Sequence, residues 1–152
     1  MKKGFAIAVM LPLILVGITA CAASTPPKKR PDEGSALAPC PASPNCVSSI
    51  DRDQRHAIAP LVYSSDRTDA YRALIEIIDA QPRATIVKHG PAYVHVEFSS
   101  RFFGFIDDVE FLFVQDQPSI EIRSASRTGY FDFGVNRKRI EKIRRLLAAA
   151  LD

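Results

Sequence analysis

A chain of 152 residues, 47% hydrophobic and 24% charged, is the size of one domain with an ordinary core. Its formal charge of +3 includes Lys2 and Lys3 at the extreme amino terminus, so the remainder is close to balanced and gives no case for nucleic acid. The absence of tryptophan and of any long acidic block leaves the composition of an ordinary soluble fold.

Lys2 and Lys3 precede an apolar run, Phe5 to Ile18, which ends at the small residues Thr19 and Ala20. This pattern predicts a secretory signal peptide over residues 1–20. A membrane span needs about 20 consecutive apolar residues, and Pro12 breaks this shorter run. The sequence Ile18-Thr19-Ala20-Cys21 resembles the lipobox of bacterial lipoproteins. That resemblance implies diacylglycerol on Cys21, cleavage before it and acylation of the new amino group, with palmitate among the chains. Two or more acyl chains hold a protein on a membrane without a span. Ala22 stands where an aspartate would resemble an inner-membrane retention signal. The expected address is therefore the cell envelope, at the periplasmic face of the outer membrane in a Gram-negative host. Residues 21–39, with Pro26, Pro27, Lys28, Lys29, Arg30 and Pro31, read as a solvated linker, and residues 40–152 as the single folded domain.

Cys40 and Cys46 bound the loop CPASPNC. In an exported protein a disulfide closing it is the leading expectation. Zinc would need more ligands than two thiols and His56, and two free cysteines are the remaining alternative. Asp51, Asp53 and His56 carry ligand chemistry without the spacing of a metal motif, so solvated loop residues are the simpler account and no metal or other cofactor is expected.

His56 to Tyr63 reads as an edge strand, with Pro60 keeping it from the centre of a sheet. From Asp66 to Ala80, Ala70, Tyr71, Leu74, Ile75, Ile77 and Ile78 recur at helical spacing, with Asp66 as N-cap and Pro82 as the stop. Two hairpins follow. A three-residue turn at His89, Gly90 and Pro91 predicts Ile86 opposite Val94 and Ala84 opposite Val96. A four-residue turn from Gln115 to Pro118 predicts Phe113 opposite Ile120, Phe111 opposite Ile122 and Val109 opposite Ser124. The other face then pairs Leu112 with Glu121, Glu110 with Arg123 and Asp108 with Ala125. A last helix from Asn136, its N-cap, turns Ile140, Ile143, Leu146, Leu147, Ala150 and Leu151 inward. The expected fold is α+β in two layers, a four-to-five-stranded antiparallel sheet packed against two helices.

Three motifs in order, CPASPNCVSS, FGFIDDVEF and SRTGYFDFGVNRKRIEKIR, resemble the bacterial family carrying domain of unknown function 1499. The resemblance spans nearly the whole domain from Cys40 onward. It implies export or membrane association and names no activity.

The candidate site is the loop entering the last helix. Gly129 and Gly134 allow tight turns, the helix start offers free N–H groups, and Arg123, Arg127, Asp132, Asn136 and Arg137 supply polar side chains for an anionic ligand. The simpler account is that Asp132 fastens the loop internally. The carboxylates Asp107, Asp108 and Glu110 are the nearest approach to acid and base chemistry, yet Asp107 and Asp108 are successive on a strand and should face opposite ways, Glu110 has Arg123 opposite it, and His95 reads as a lone histidine on a strand face. Phe102, Phe103 and Phe105 around Gly104 read as a packed bend. The reading that follows is a lipid-anchored envelope domain binding an anionic small molecule or an envelope protein, without catalysis. The alternatives are a hydrolase using Asp107, Asp108 or His95, and an assembly factor docking through the basic last helix at Arg144 and Arg145.

Overall fold

The computed structural model describes residues 36–152. The expected signal peptide, the expected lipid site at Cys21 and most of the linker lie outside the described residues. Leu37, expected within the linker, is buried, so packing begins ahead of Cys40. Cys40 and Cys46 are joined by the expected disulfide.

The described residues form β1 (Cys46–Ser48), β2 (Leu61–Val62), α1 (Arg67–Asp79), β3 (Ala84–Gly90), β4 (Tyr93–Ser99), β5 (Ile106–Phe113), β6 (Ser119–Ser126) and α2 (Val135–Leu151). These build the two-layer α+β arrangement expected, one antiparallel sheet in the order β1-β6-β5-β4-β3 with both helices on one face. The fifth strand position is shared. β1 lies against Arg123 to Ala125 while β2 lies against Ser119 and Ile120, both along the outer edge of β6. The expected edge strand over His56 to Tyr63 is therefore reduced to Leu61–Val62, and Cys46–Ser48 supplies the rest of that edge.

The β5–β6 register is the one that turn length dictates, with Phe113 opposite Ile120, Phe111 opposite Ile122 and Glu110 opposite Arg123. The β3–β4 register differs from expectation. Gly90 faces Tyr93 across a turn at Pro91 and Ala92, and a bulge between Ile86 and Lys88 shifts the pairing again. Ile86 thus meets Val96, and Ala84 meets Phe98. The bulge absorbs one residue at Val87, which lets Ile86 and Ala84 keep to the core side despite the different turn.

Asp66 caps α1 by accepting from the Asp69 N–H at 2.9 Å. Ala70, Leu74 and Ile78, one turn apart, bury that helix on the sheet, where each large apolar side chain contributes about 1.5–3 kcal/mol. α2 begins differently from expectation. Its N-cap is Gly134, in the left-handed region at φ 73°, and Asn136 is already inside the helix and fully buried. Asp132 takes the capping role instead, accepting from the N–H groups of Gly134 at 2.8 Å and Asn136 at 3.0 Å. Ile140, Ile143 and Leu147 face the core, whereas Leu146 and Ala150 of the expected stripe are exposed.

Candidate functional site

The sheet face turned away from the helices carries a desolvated ionic network. Strand alternation sends Tyr93, His95 and Glu97 of β4, Asp108 and Glu110 of β5, and Arg123 of β6 to this one face. Between β4 and β5 its bonds run diagonally across the register. The Tyr93 hydroxyl donates to Glu110 Oε1 at 2.7 Å, and His95 Nε2 donates to Asp108 Oδ1 at 2.6 Å. Arg123 Nη1 lies 3.3 Å from Glu110 Oε2. Arg127, just beyond the end of β6, donates twice to Asp108, at 2.7 and 2.8 Å, and also to Glu97.

His95 is 0% exposed and Asp108 2%, so both groups depend on their partners. Burial pushes the Asp108 carboxyl upward, but hydrogen bonds from Arg127 and His95, together with their positive field, outweigh it and hold the group at about 2. Arg127 is driven upward, first by its hydrogen bond to Asp108. His95 Nδ1 and Arg123 Nε have no hydrogen-bond partner among the described residues. Asp107 points to the helix side, where it accepts from Arg139 Nη2 and Ser126 Oγ, both at 2.6 Å. Of the three side chains named for the alternative hydrolase reading, His95 and Asp108 therefore converge with Arg127, while Asp107 does not.

The expected ligand-binding set does not form one site. Arg123 and Arg127 are neutralised on the outer face. Asp132 is used in starting α2, and Asn136 ties its first turn to the Asn45 carbonyl, Ser126 Oγ and Ser124 Oγ. Arg137 lies outside, donating to the Arg55 carbonyl. Arg144 is also engaged, donating to the Ala59 and Pro60 carbonyls and pairing with Glu141, so the basic helix does not present it free to a partner. His56 is buried with Nδ1–H donating to the Cys46 carbonyl at 2.9 Å, and Asp53 pairs with Arg55. Asp51, Asp53 and His56 are thus separate loop fastenings; no cluster of three or more such groups suited to a metal occurs among the described residues.

An anion-suited cleft lies where no sequence motif marks one. The turn before β3, the end of β4 and the first turns of α2 enclose about 460 Å³, with Arg83, Arg101, Lys138, Arg139 and Lys142 around one carboxylate, Asp107. Arg139 spends its charge on Asp107 at 2.6 Å and lies 4.6 Å over the Phe98 ring. The other cations meet only neutral groups among the described residues: Arg83 donates to the Ser99 carbonyl, Lys142 to Gln81 Oε1, Lys138 to the Phe133 carbonyl, and Arg101 lies over Phe102. Lys138 and Lys142, four residues apart, share one side of α2, a spacing visible in sequence; Arg83 and Arg101 come from turns remote along the chain. A larger cleft of about 620 Å³ lies between α1 and β3, but Glu76 and Asp79 line it and its Arg72 pairs with Asp69. Its size suits a ligand; its charge does not suit an anion.

The end of the sheet beside the basic cleft is aromatic. Phe102, Phe103 and Phe105, expected as a packed bend, are exposed, as are Tyr130, Phe131 and Phe133 on the loop before α2. No curated protein matches the chain. The sequence pattern of the family described as "Protein of unknown function (DUF1499)" matches residues 36–147, most of the chain and all of the sheet, and the protein belongs to that family.

Proposed function

We propose that the protein is a non-catalytic, lipid-anchored binding domain of the cell envelope, held by acylated Cys21, and that its ligand is an anionic small molecule taken in the cleft between α2 and the β3–β4 end of the sheet. The observation that carries this reading is the charge imbalance there: Arg83, Arg101, Lys138 and Lys142 have no carboxylate partner among the described residues, and Asp107 is already matched by Arg139. Clustered cations in a concave site raise the local concentration of anions and bind phosphates or carboxylates through charge-assisted hydrogen bonds. Thermal unfolding of the full chain in low salt, with inorganic phosphate, pyrophosphate and citrate as probes, is the test. At ten times Kd a bound anion adds about 1.4 kcal/mol, a rise of roughly 5 °C in Tm. Arg83→Glu with Lys142→Glu should abolish that rise, and a flat response to all three probes in the parent protein counts against the reading.

The convergence of His95, Asp108 and Arg127 favours a hydrolase as the second reading. The full burial of His95 weighs against it, since a general base has to reach its substrate. Hydrolysis of generic ester or phosphoester substrates that disappears in His95→Gln while the fold is retained would reverse the order of the two.

A further inference from the structure

Two short loops leave the same end of the sheet. One joins β4 to β5 and the other β6 to α2, and the Arg127 N–H donates to the Ile106 carbonyl at 2.9 Å where they meet the strands. Each loop carries an aromatic pair, Phe103 stacked on Phe105 at 5.5 Å and Phe131 edge-on to Phe133 at 5.3 Å. The pairs stay exposed all the same, Phe103 by 78% with Phe105 by 52% and Phe133 by 79% with Phe131 by 57%, as does Phe102 beside them. Leaving such side chains in water forgoes about 1.5–3 kcal/mol each relative to burying them. Scattered apolar residues on a surface are ordinary, but a cluster at one tip marks an interaction surface.

We infer that this aromatic tip inserts into the interface of a bilayer containing anionic phospholipid, giving the domain a membrane contact of its own. The rim argues for this occupant. Arg101 and Lys138 flank the two loops with no carboxylate partner among the described residues, and the acids nearby are occupied, Asp107 by Arg139, Asp108 by Arg127 and Asp132 by the start of α2. The tip thus presents exposed apolar rings flanked by two cations, with Asp132, hydrogen-bonded to neutral amides at the start of α2, as the one carboxylate within its loops. Basic side chains near an anionic lipid surface contribute about 1 kcal/mol each, and aromatic rings partition into the headgroup boundary. The shape agrees with the charge. Gly104 at φ 64° and Gly129 at φ 87° let each loop turn sharply, and the rings they carry remain exposed, an arrangement that a deformable lipid surface accepts without a matching pocket. This contact does not depend on the cleft holding a soluble ligand.

The chain has no tryptophan, so single-tryptophan variants report their own positions. Phe103→Trp and Phe131→Trp probe the tip. Val62→Trp, exposed and paired with Ser119 at the opposite end of β6, is the control. The full chain is mixed with vesicles of phosphatidylcholine and phosphatidylglycerol carrying brominated acyl chains. The expected result is a blue shift and loss of most emission at both tip positions, none at the control, and recovery of emission when Arg101→Glu and Lys138→Glu are added. Arg83→Glu with Lys142→Glu should leave tip quenching largely in place, which separates this proposal from the anion-cleft reading. Tip emission unchanged by vesicles that nonetheless carry the protein through flotation would overturn the inference. So would a blue shift that needs no vesicles and grows with protein concentration, since the tip would then be binding a second copy of the chain.

Discussion

Arg127 is the residue on which most of the outer-face network depends, because it links Asp108 to Glu97. Arg127→Met would leave the buried Asp108 with His95 as its one remaining partner among the described residues, and should cost about 3–5 kcal/mol in urea unfolding. Arg145→Met, at an exposed position of α2, should stay within about 0.5 kcal/mol. The same site sets an acid limit. Asp108 ionises at about 2 in the folded protein against an ordinary value of 3.8, so the folded state favours its charged form. That contribution is complete above pH 3.8 and is lost as the pH falls through the folded value near 2. It amounts to about 2 kcal/mol. Urea midpoints of the parent protein should therefore fall across that window, and Asp108→Asn should flatten the fall while lowering stability at neutral pH. An identical acid slope in the variant would show that other carboxylates carry it.

The two layers are held together by the inner faces of the helices, and α2 offers a controlled comparison. Ile143 is fully buried and Leu146 is 37% exposed, so Ile143→Ala should cost about 2–5 kcal/mol and Leu146→Ala less than about 1 kcal/mol. Gly134 is held at φ 73°, and a methyl group added there would meet nothing within 4 Å, so Gly134→Ala should cost about 1–2 kcal/mol from backbone strain alone. At this scale, legibility in the sequence followed the range of the forces involved. The β5–β6 register was readable because a turn of fixed length and strict alternation determine it, and Glu110 opposite Arg123 came with it. The β3–β4 register was not, because the chain turns at Pro91 and Ala92 rather than over His89 to Pro91, and a bulge at Val87, marked by no glycine or proline, then shifts the pairing by one more residue. Asp132, Gly134 and Asn136 stand close together around the start of α2, and packing decides which of them caps it. The hydrogen bond from buried Asn136 to Asn45, distant in sequence, is what moves the helix start. The reach of Arg127 and the meeting of Arg83 with Lys142 likewise require the assembled sheet, so both the outer network and the basic cleft lay beyond sequence spacing.

The molecule as a whole is polarised end to end. Leu37, close to the start of the described chain, lines a groove with Leu112 and Glu121 at one end of the sheet, while the aromatic loops occupy the other. The two ends are separated by roughly 25 Å, the length of an eight-residue strand. If the lipid sits on Cys21 and the tip meets the same bilayer, the chain between Cys21 and Leu37 must cover that distance. Fully extended it reaches about 50 Å, at roughly 3.5 Å per residue, which is ample. Deleting residues 24–33 would cut the reach to about 20 Å, too short for both contacts at once. The shortened protein should therefore still float with vesicles through its lipid, while the emission of Phe103→Trp returns to that of an indole in water. Replacing the deleted residues by glycine and serine in equal number should restore quenching, because length is then recovered without Lys28, Lys29 and Arg30. Quenching that persists in the shortened chain would mean that the tip and the lipid do not compete for reach, and that the domain meets the membrane in another orientation.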